Sequence, residues 1–411
     1  MQNDGGIAVN DREELVYLLT EAAEFEHVVM CAYLYAQWSL KKDDSDDITA
    51  EELQAIDRWR ASIRTVAMEE MLHMALVNNL AAGLGAAPHM ARPDFPIRQG
   101  YFPSDLDFHL APFNEQTIQH FVFIERPEGI DVQDGKGFTH DSHYQRVVCT
   151  DLLSPTARDY GSQGHLYHGI AQAIVRLADR IGEDKLFIGH GEAQMTSAEF
   201  PLPGLFRVTG VESALKAIEE IVHQGEGAPA HREDSHYARF DAIRREYAEL
   251  KAARPEFEAA HPAAVNPVLT EIADEERATR VSKRLARRVV DLGNSVYGQM
   301  LHTLAQVCSP VPLPAGLRQV NSVRPDAAGR DHSQPGQLPQ YFSRPVHMAT
   351  RIDHYVRVGQ ASELLLWIVD GRLKQGHIRD LPQAIQVNGA ADLYRRVGWN
   401  DDPWTRCGRH G

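Results

Sequence analysis

Cysteine is scarce in this chain of 411 residues: Cys31, Cys149, Cys308 and Cys407 stand singly and far apart. That spacing offers no zinc-knuckle pair and no disulfide framework, so the expected compartment is a reducing cytoplasm. Positive charge is also short. Lys and Arg number 42 against 57 Asp and Glu, a formal net charge of −15. This argues against nucleic acid or an anionic membrane as the main partner. No basic-then-apolar leader is seen, and no apolar run is long enough to span a bilayer, which fits the same expectation. A Gly-rich phosphate loop, a nucleophile elbow and a solenoid-length repeat are all missing, so those readings drop out.

What the chain does have is helical periodicity, and 43% hydrophobic residues to build a core. The clearest stretch is 56–84. Ile56, Trp59, Ile63, Val66, Glu70, His73, Val77, Leu80 and Leu84 step by three and four, the buried seam of an amphipathic helix. Seven of these nine are apolar. Glu70 and His73 are the exceptions, side by side on that face. A charged Glu facing a core costs several kcal/mol unless something pairs with it. A metal ion is the usual partner of Glu and His at i, i+3 on a bundle helix. A plain Glu–His hydrogen bond is the alternative.

The first helix repeats the signal. Asp11 and Glu14 have the spacing of a capping box. The seam then runs Leu15, Leu19, Ala22, Glu26, Val29, Tyr33 and Ala36. Glu21 and Glu24 fall off it and are expected in solvent. Residues 41–51 form the turn, with Thr49 or Asp47 as the next N-cap. Such a short connection makes the two helices antiparallel neighbours, able to bring Glu26 near Glu70 and His73.

From 86 to 113 prolines punctuate a crossover too long for a bundle turn. A short helix after Asn114 carries Ile118, Phe121 and Glu125 on one face, ended by Pro127. Residues 128–160 read as loop and strand. Further helices are expected at 163–182, 211–224, from about Asp234, and at 271–307. His165 lies off the apolar centre of its helix, and so does His168. Glu219 and His223 share a flank of the 211–224 helix, while Glu220 points away from its core. Gly225-Glu226-Gly227 ends that helix. His236 heads the seam Phe240, Ile243, Tyr247 and Leu250. Residues 306–411 read as an irregular C-terminal extension of loops with one or two helices, one at 346–375.

The run from Glu26 through Tyr33, the string Glu69-Glu70-Met-Leu-His73, and Phe123-Ile-Glu125-Arg-Pro-Glu come in a telling order. They are followed by His165-Leu-Tyr167, Ile221-Val-His223-Gln-Gly-Glu-Gly and Ser235-His236-Tyr. This set resembles the ferritin-like family related to iminophenylpyruvate dimer synthase, known from violacein and indolocarbazole-type pathways. The likeness covers about 15–305. It implies an all-α, ferritin-like helical bundle over 12–305 with metal ligands from four helices. Carried over by position, the ligands are Glu26, Glu70, His73, His165, His223 and His236. Relatives usually have acids at the places of His165 and His223, so this set would be two Glu and four His. Glu125, Glu219 and Glu226 are the next acids in line. Iron is the first metal expected, with Zn, Cu and Mn left open.

Three functions fit. One is an O2-dependent metalloenzyme acting on a small amino-acid-derived or natural-product intermediate. Another is a non-redox metal site for Lewis-acid imine chemistry or hydrolysis. The last is a binding or structural protein whose metal staples the bundle. The expected partner is a small-molecule substrate, with a homo-oligomer left open.

Overall fold

The structure is a computed structural model. It describes residues 7–307 except 8, 44–47, 98–101, 103–105, 128, 139–159, 161, 198–199, 201, 226–231, 233 and 271–276. The expected C-terminal extension at 306–411, its helix at 346–375 and the acid Glu226 therefore lie wholly or almost wholly outside the described residues.

Two long helices form the spine, α1 (Arg12–Ser39) and α2 (Ala50–Gly83). Asp11 caps α1 by accepting from the Glu14 backbone N–H at 2.8 Å. Thr49 and Glu52 cap α2 as a reciprocal capping box. Every seam position read from the sequence on these two helices is buried, the acids and the histidine included. Glu21 departs from expectation. It is buried, because the Tyr160 hydroxyl reaches it at 2.9 Å.

Four shorter helices complete the bundle: α3 (Glu115–Ile124), α4 (Gln163–Ile181), α6 (Val211–Gln224) and α7 (His236–Ala253). A single turn, α5 (Glu183–Leu186), follows α4. The apolar core falls into two clusters. The start of α1 and the end of α2 pack with α4 and α6. The end of α1 and the start of α2 pack with α3 and α7. Hence α3 and α4 run in succession in the direction of α2, and α6 and α7 in the direction of α1. The order is up, down, down, up. Only a crossover traversing the bundle can join α2 to α3, and residues 85–114 supply it. This is the all-α, ferritin-like arrangement with one long connection.

The last helix starts later than its periodicity suggests. Strands β1 (Pro267–Val268) and β2 (Thr279–Arg280) pair in a small parallel ladder, and α8 spans Arg284–Val307. Thr279 N–H goes to Val265 O at 2.9 Å and Val281 N–H to Val268 O at 2.8 Å. Those donors are thus lost to a helix. The phase shifts too: Ala286 is buried while Leu285 is exposed.

Candidate metal centre

At the level where the two core clusters meet, five buried ionisable side chains converge. Glu26 comes from the middle of α1, Glu70 and His73 from α2. Glu125 is the residue that ends α3, and His236 is the first of α7. All five are essentially inaccessible to water. Their ligand atoms form two groups that share a member: Glu26, Glu70 and His73, and Glu70, Glu125 and His236.

Glu70 is the shared carboxylate. Its Oε2 lies 2.9 Å from His73 Nδ1 and its Oε1 3.0 Å from His236 Nδ1. Glu26 Oε2 stands 3.5 Å from His73 Nδ1, and Glu125 Oε2 3.5 Å from His236 Nδ1. The two imidazoles are nearly parallel, centroids 5.6 Å apart. Both rings therefore present Nδ1 to the centre. Each Nε2–H is taken outside it, by Gln224 Oε1 at 3.0 Å for His73 and by Glu69 Oε2 at 3.1 Å for His236. These outer partners hold a proton on each Nε2, so it is the inward Nδ1 of each ring, on Glu70's side, that would give up its proton and take a metal.

The flanking carboxylates are pinned in the same way. Tyr167 donates its hydroxyl to Glu26 Oε1, and Gln163 Nε2 donates to the same oxygen at 2.7 Å. Tyr33 donates to Glu125 Oε1. The second oxygen of each acid is left facing inward. Glu26 Oε2 and Glu125 Oε2 are buried without a hydrogen-bond partner. Gly225 borders that space, where a Cβ would stand in ordinary contact, 4.0 Å from both Glu125 Oε2 and His236 Nδ1.

The electrostatics point the same way. Burial and the Glu70 charge push the Glu26 carboxyl up to about 8. Burial likewise raises Glu125. Against the opposing effect of burial, the two histidines hold Glu70 well below the usual carboxylate range. Burial opposes charging of His73, yet Glu26 and Glu70 push it up to about 10. His236 is raised too, by Glu70 and Glu125 against burial. Burial and the Glu26 carboxylate keep Tyr167 a phenol, and so a donor. Protons on Glu26 and the two imidazoles supply the positive charge in the metal-free site, and the inward oxygens and ring nitrogens are a donor set from which metal ions can displace them. Three carboxylates and two neutral imidazoles suit divalent first-row metals. The residues present fit such ions.

Of the ligands expected from the sequence, Glu26, Glu70, His73 and His236 are brought together here. Glu125, one of the next acids in line, joins them. His165 is half-buried in the first turn of α4, His223 is exposed near the end of α6, and neither belongs to either group. Glu219 is exposed on α6. The helix phase explains this. From the start of α4 it is Gln163 and Tyr167, four apart, that face the centre. From the end of α6 it is Gln224, one residue beyond His223. None of these three is an acid or imidazole, so ligand chemistry gives no signal for them. Glu69 lies off the seam of α2, and its contact with His236 depends on where α7 begins.

A family model described as Ferritin-like matches residues 19–245. The chain belongs to the ferritin-like family. Among similar proteins, the 2-imino-3-(indol-3-yl)propanoate dimerase of Chromobacterium violaceum is 30% identical over 327 residues, covering 75% of this chain and 30% of its own length. The dichlorochromopyrrolate synthase of Lentzea aerocolonigenes is 29% identical over 340 residues, 73% of this chain and 31% of its own. This ferritin-like chain thus spans under a third of the length of those relatives. Their names accord with the likeness to iminophenylpyruvate dimer synthase, one being a dimerase of an α-imino acid. A solved ferritin like protein from Caulobacter vibrioides covers 76% of this chain and 91% of its own, at 19% identity and a TM-score of 0.47. No helix among the described residues is long and apolar enough to cross a membrane.

Proposed function

We propose that this chain holds two metal ions, iron first, and serves the O2-dependent oxidation of a small amino-acid-derived intermediate, an α-imino acid or its enamine. The observation that carries this reading is the pair of buried inward carboxylate oxygens that make no hydrogen bond, Glu26 Oε2 and Glu125 Oε2, on either side of the shared Glu70 and its two imidazoles. Three ionised carboxylates beside two neutral imidazoles, the state that binds metal, would cost several kcal/mol in this core without metal cations. The relatives' names supply the substrate class. Joining two enamines through carbon breaks one C–H bond on each and releases two protons and two electrons, which O2 takes up as H2O2.

Bound metal ions would supply the redox capacity for that transfer. The chain's own residues do the rest. Glu70 offers one oxygen to each half of the centre. Tyr167, with Gln163, and Tyr33 hold the outer oxygens of Glu26 and Glu125, which aims the inner oxygens. The apolar clusters above and below exclude bulk water. The proton that burial places on Glu26 in the metal-free site is displaced when a cation arrives.

The test is metal analysis of protein purified without affinity-tag metal. It is followed by anaerobic loading with Fe(II) and O2 uptake with an aromatic α-imino acid generated in the assay. The expected result is about two metals per chain and one O2 consumed per coupled product. Failure to bind metal removes the centre. Metal binding without O2 uptake for any such substrate leaves the centre and removes the oxidation, returning the non-redox site to first place.

A further inference from the structure

The two halves of the centre are alike inside and unlike outside. His236 Nε2 donates to the Glu69 carboxylate at 3.1 Å, and Arg239 Nη1 holds the same oxygen at 2.6 Å. His73 Nε2 donates instead to the neutral Gln224 amide at 3.0 Å, whose Nε2 is held by Glu220 at 2.7 Å. A carboxylate accepting from an imidazole makes the other ring nitrogen a stronger donor to a metal. An amide does so less. The Arg239 pair also fixes the Glu69 carboxylate in place, so His236 is the better oriented ring.

The surroundings differ as well. A cleft of about 10 Å³ reaches the His73 half, lined by His73, Gln163, Tyr167, Ile221 and Gly225. That is about the least volume that holds one water-sized molecule. The lining includes the His73 ring itself, while the His236 half borders the cleft only through Gly225.

We infer that the two metal positions are unequal, an inference that rests on the centre proposed above. The position formed by Glu70, Glu125 and His236 fills first and retains its metal, with Glu69 as its positioning residue. The position formed by Glu26, Glu70 and His73 is the exchangeable one. It faces the cleft and is where a diatomic or a small anion meets the centre.

The experiment uses the full chain, stripped by chelation and titrated with Co(II), with visible absorption and a competing chelator giving the stepwise affinities. Azide is the small-ligand probe. Two unequal steps are expected. Glu69→Gln weakens the tighter step about 10–100-fold and spares the weaker one. Gln224→Leu moves only the weaker step. Azide changes the spectrum only after the second equivalent of Co(II). If a single ion binds, His236→Ala abolishes it and His73→Ala does not. Far-UV circular dichroism and melting temperature confirm that each variant folds.

Two equal steps would overturn the inference while leaving the centre intact. So would both variants weakening the same step, azide acting on the first ion, or a single ion lost in His73→Ala and kept in His236→Ala. No Co(II) bound at all would remove the centre itself and the inference with it.

Discussion

Glu70 is placed between two imidazoles, one for each of its oxygens. No other carboxylate in the cluster belongs to both groups of ligand atoms. Its removal therefore takes a ligand from both proposed metal positions. We expect Glu70→Ala to bring metal content per chain close to zero, His73→Ala to lose about half, and Glu69→Ala to lose least under saturating metal. Elemental analysis of the purified variants checks this. Equal loss in all three would mean that Glu69 and Glu70 are not on different faces of α2. A second residue-scale expectation concerns Cys31. Its thiol faces the Tyr297 hydroxyl at 3.4 Å, and burial pushes it up to about 11. The shift disfavours thiolate, so at pH 8 only about one in a thousand is ionised, against roughly a quarter for an unperturbed thiol near 8.5. Iodoacetamide should modify Cys31 about a hundredfold more slowly than a free cysteine at pH 8, with the rate still rising at pH 10. A plateau by pH 9 would contradict the shift. Peptide mass spectrometry reads the site individually.

At the scale of elements, the bundle depends on chain ends meeting at one height. The third rod is broken between α3 and α4 and the fourth between α6 and α7, both at the level of the buried carboxylate–imidazole cluster. Breaks of this kind put helix termini, rather than helix middles, around the ligands. Ser162 and Ser235 satisfy the opened ends, accepting from His165 N–H at 3.1 Å and Ala238 N–H at 3.2 Å. The far end of α2 is closed by backbone contact instead. Gly189 N–H donates to Gly83 O at 3.0 Å, and a Cβ on Gly189 would fall 1.7 Å from Ala82 O. Only glycine allows that approach. Gly189→Ala should lower unfolding stability by about 1–3 kcal/mol, the usual cost of overpacking, while leaving metal stoichiometry unchanged. Urea unfolding with a parallel metal assay separates the two effects.

For the whole molecule, the five central side chains come from α1, α2, α3 and α7, which share one apolar cluster, and their hydrogen bonds to Gln163, Tyr167 and Gln224 tie it to α4 and α6 of the other. Metal that binds only the folded state stabilises it by mass action, about 2.7 kcal/mol at a hundredfold excess over Kd. For a protein of this size that corresponds to roughly 3–4 °C in Tm. Chelation should lower Tm by that amount, and restored metal should return it. A Tm indifferent to chelator, with metal demonstrably removed, would mean that the centre does not couple the rods.

The sequence by itself determined the bundle helices and the buried faces of α1, α2, α4, α6 and α7, but not the start or phase of α8. On α1, α2 and α7 the step of three and four is enough to put Glu26, Glu70, His73 and His236 on buried faces. This works because burial on a helix repeats with the helix's own period, a property of one segment alone. Glu125 was half legible: its seam was clear, but a helix end can turn either way, and only packing beneath Tyr33 and beside His236 turned it inward. Tertiary structure alone decided the rest. Gln163, Tyr167 and Gln224 reach the centre from first and last turns, where periodicity is too short to fix a face. Glu69 acquires its role from the position of a residue 167 places along the chain. The pairing of α3 with α4 and of α6 with α7 as two interrupted rods depends on which apolar cluster each end joins, and no local pattern encodes that.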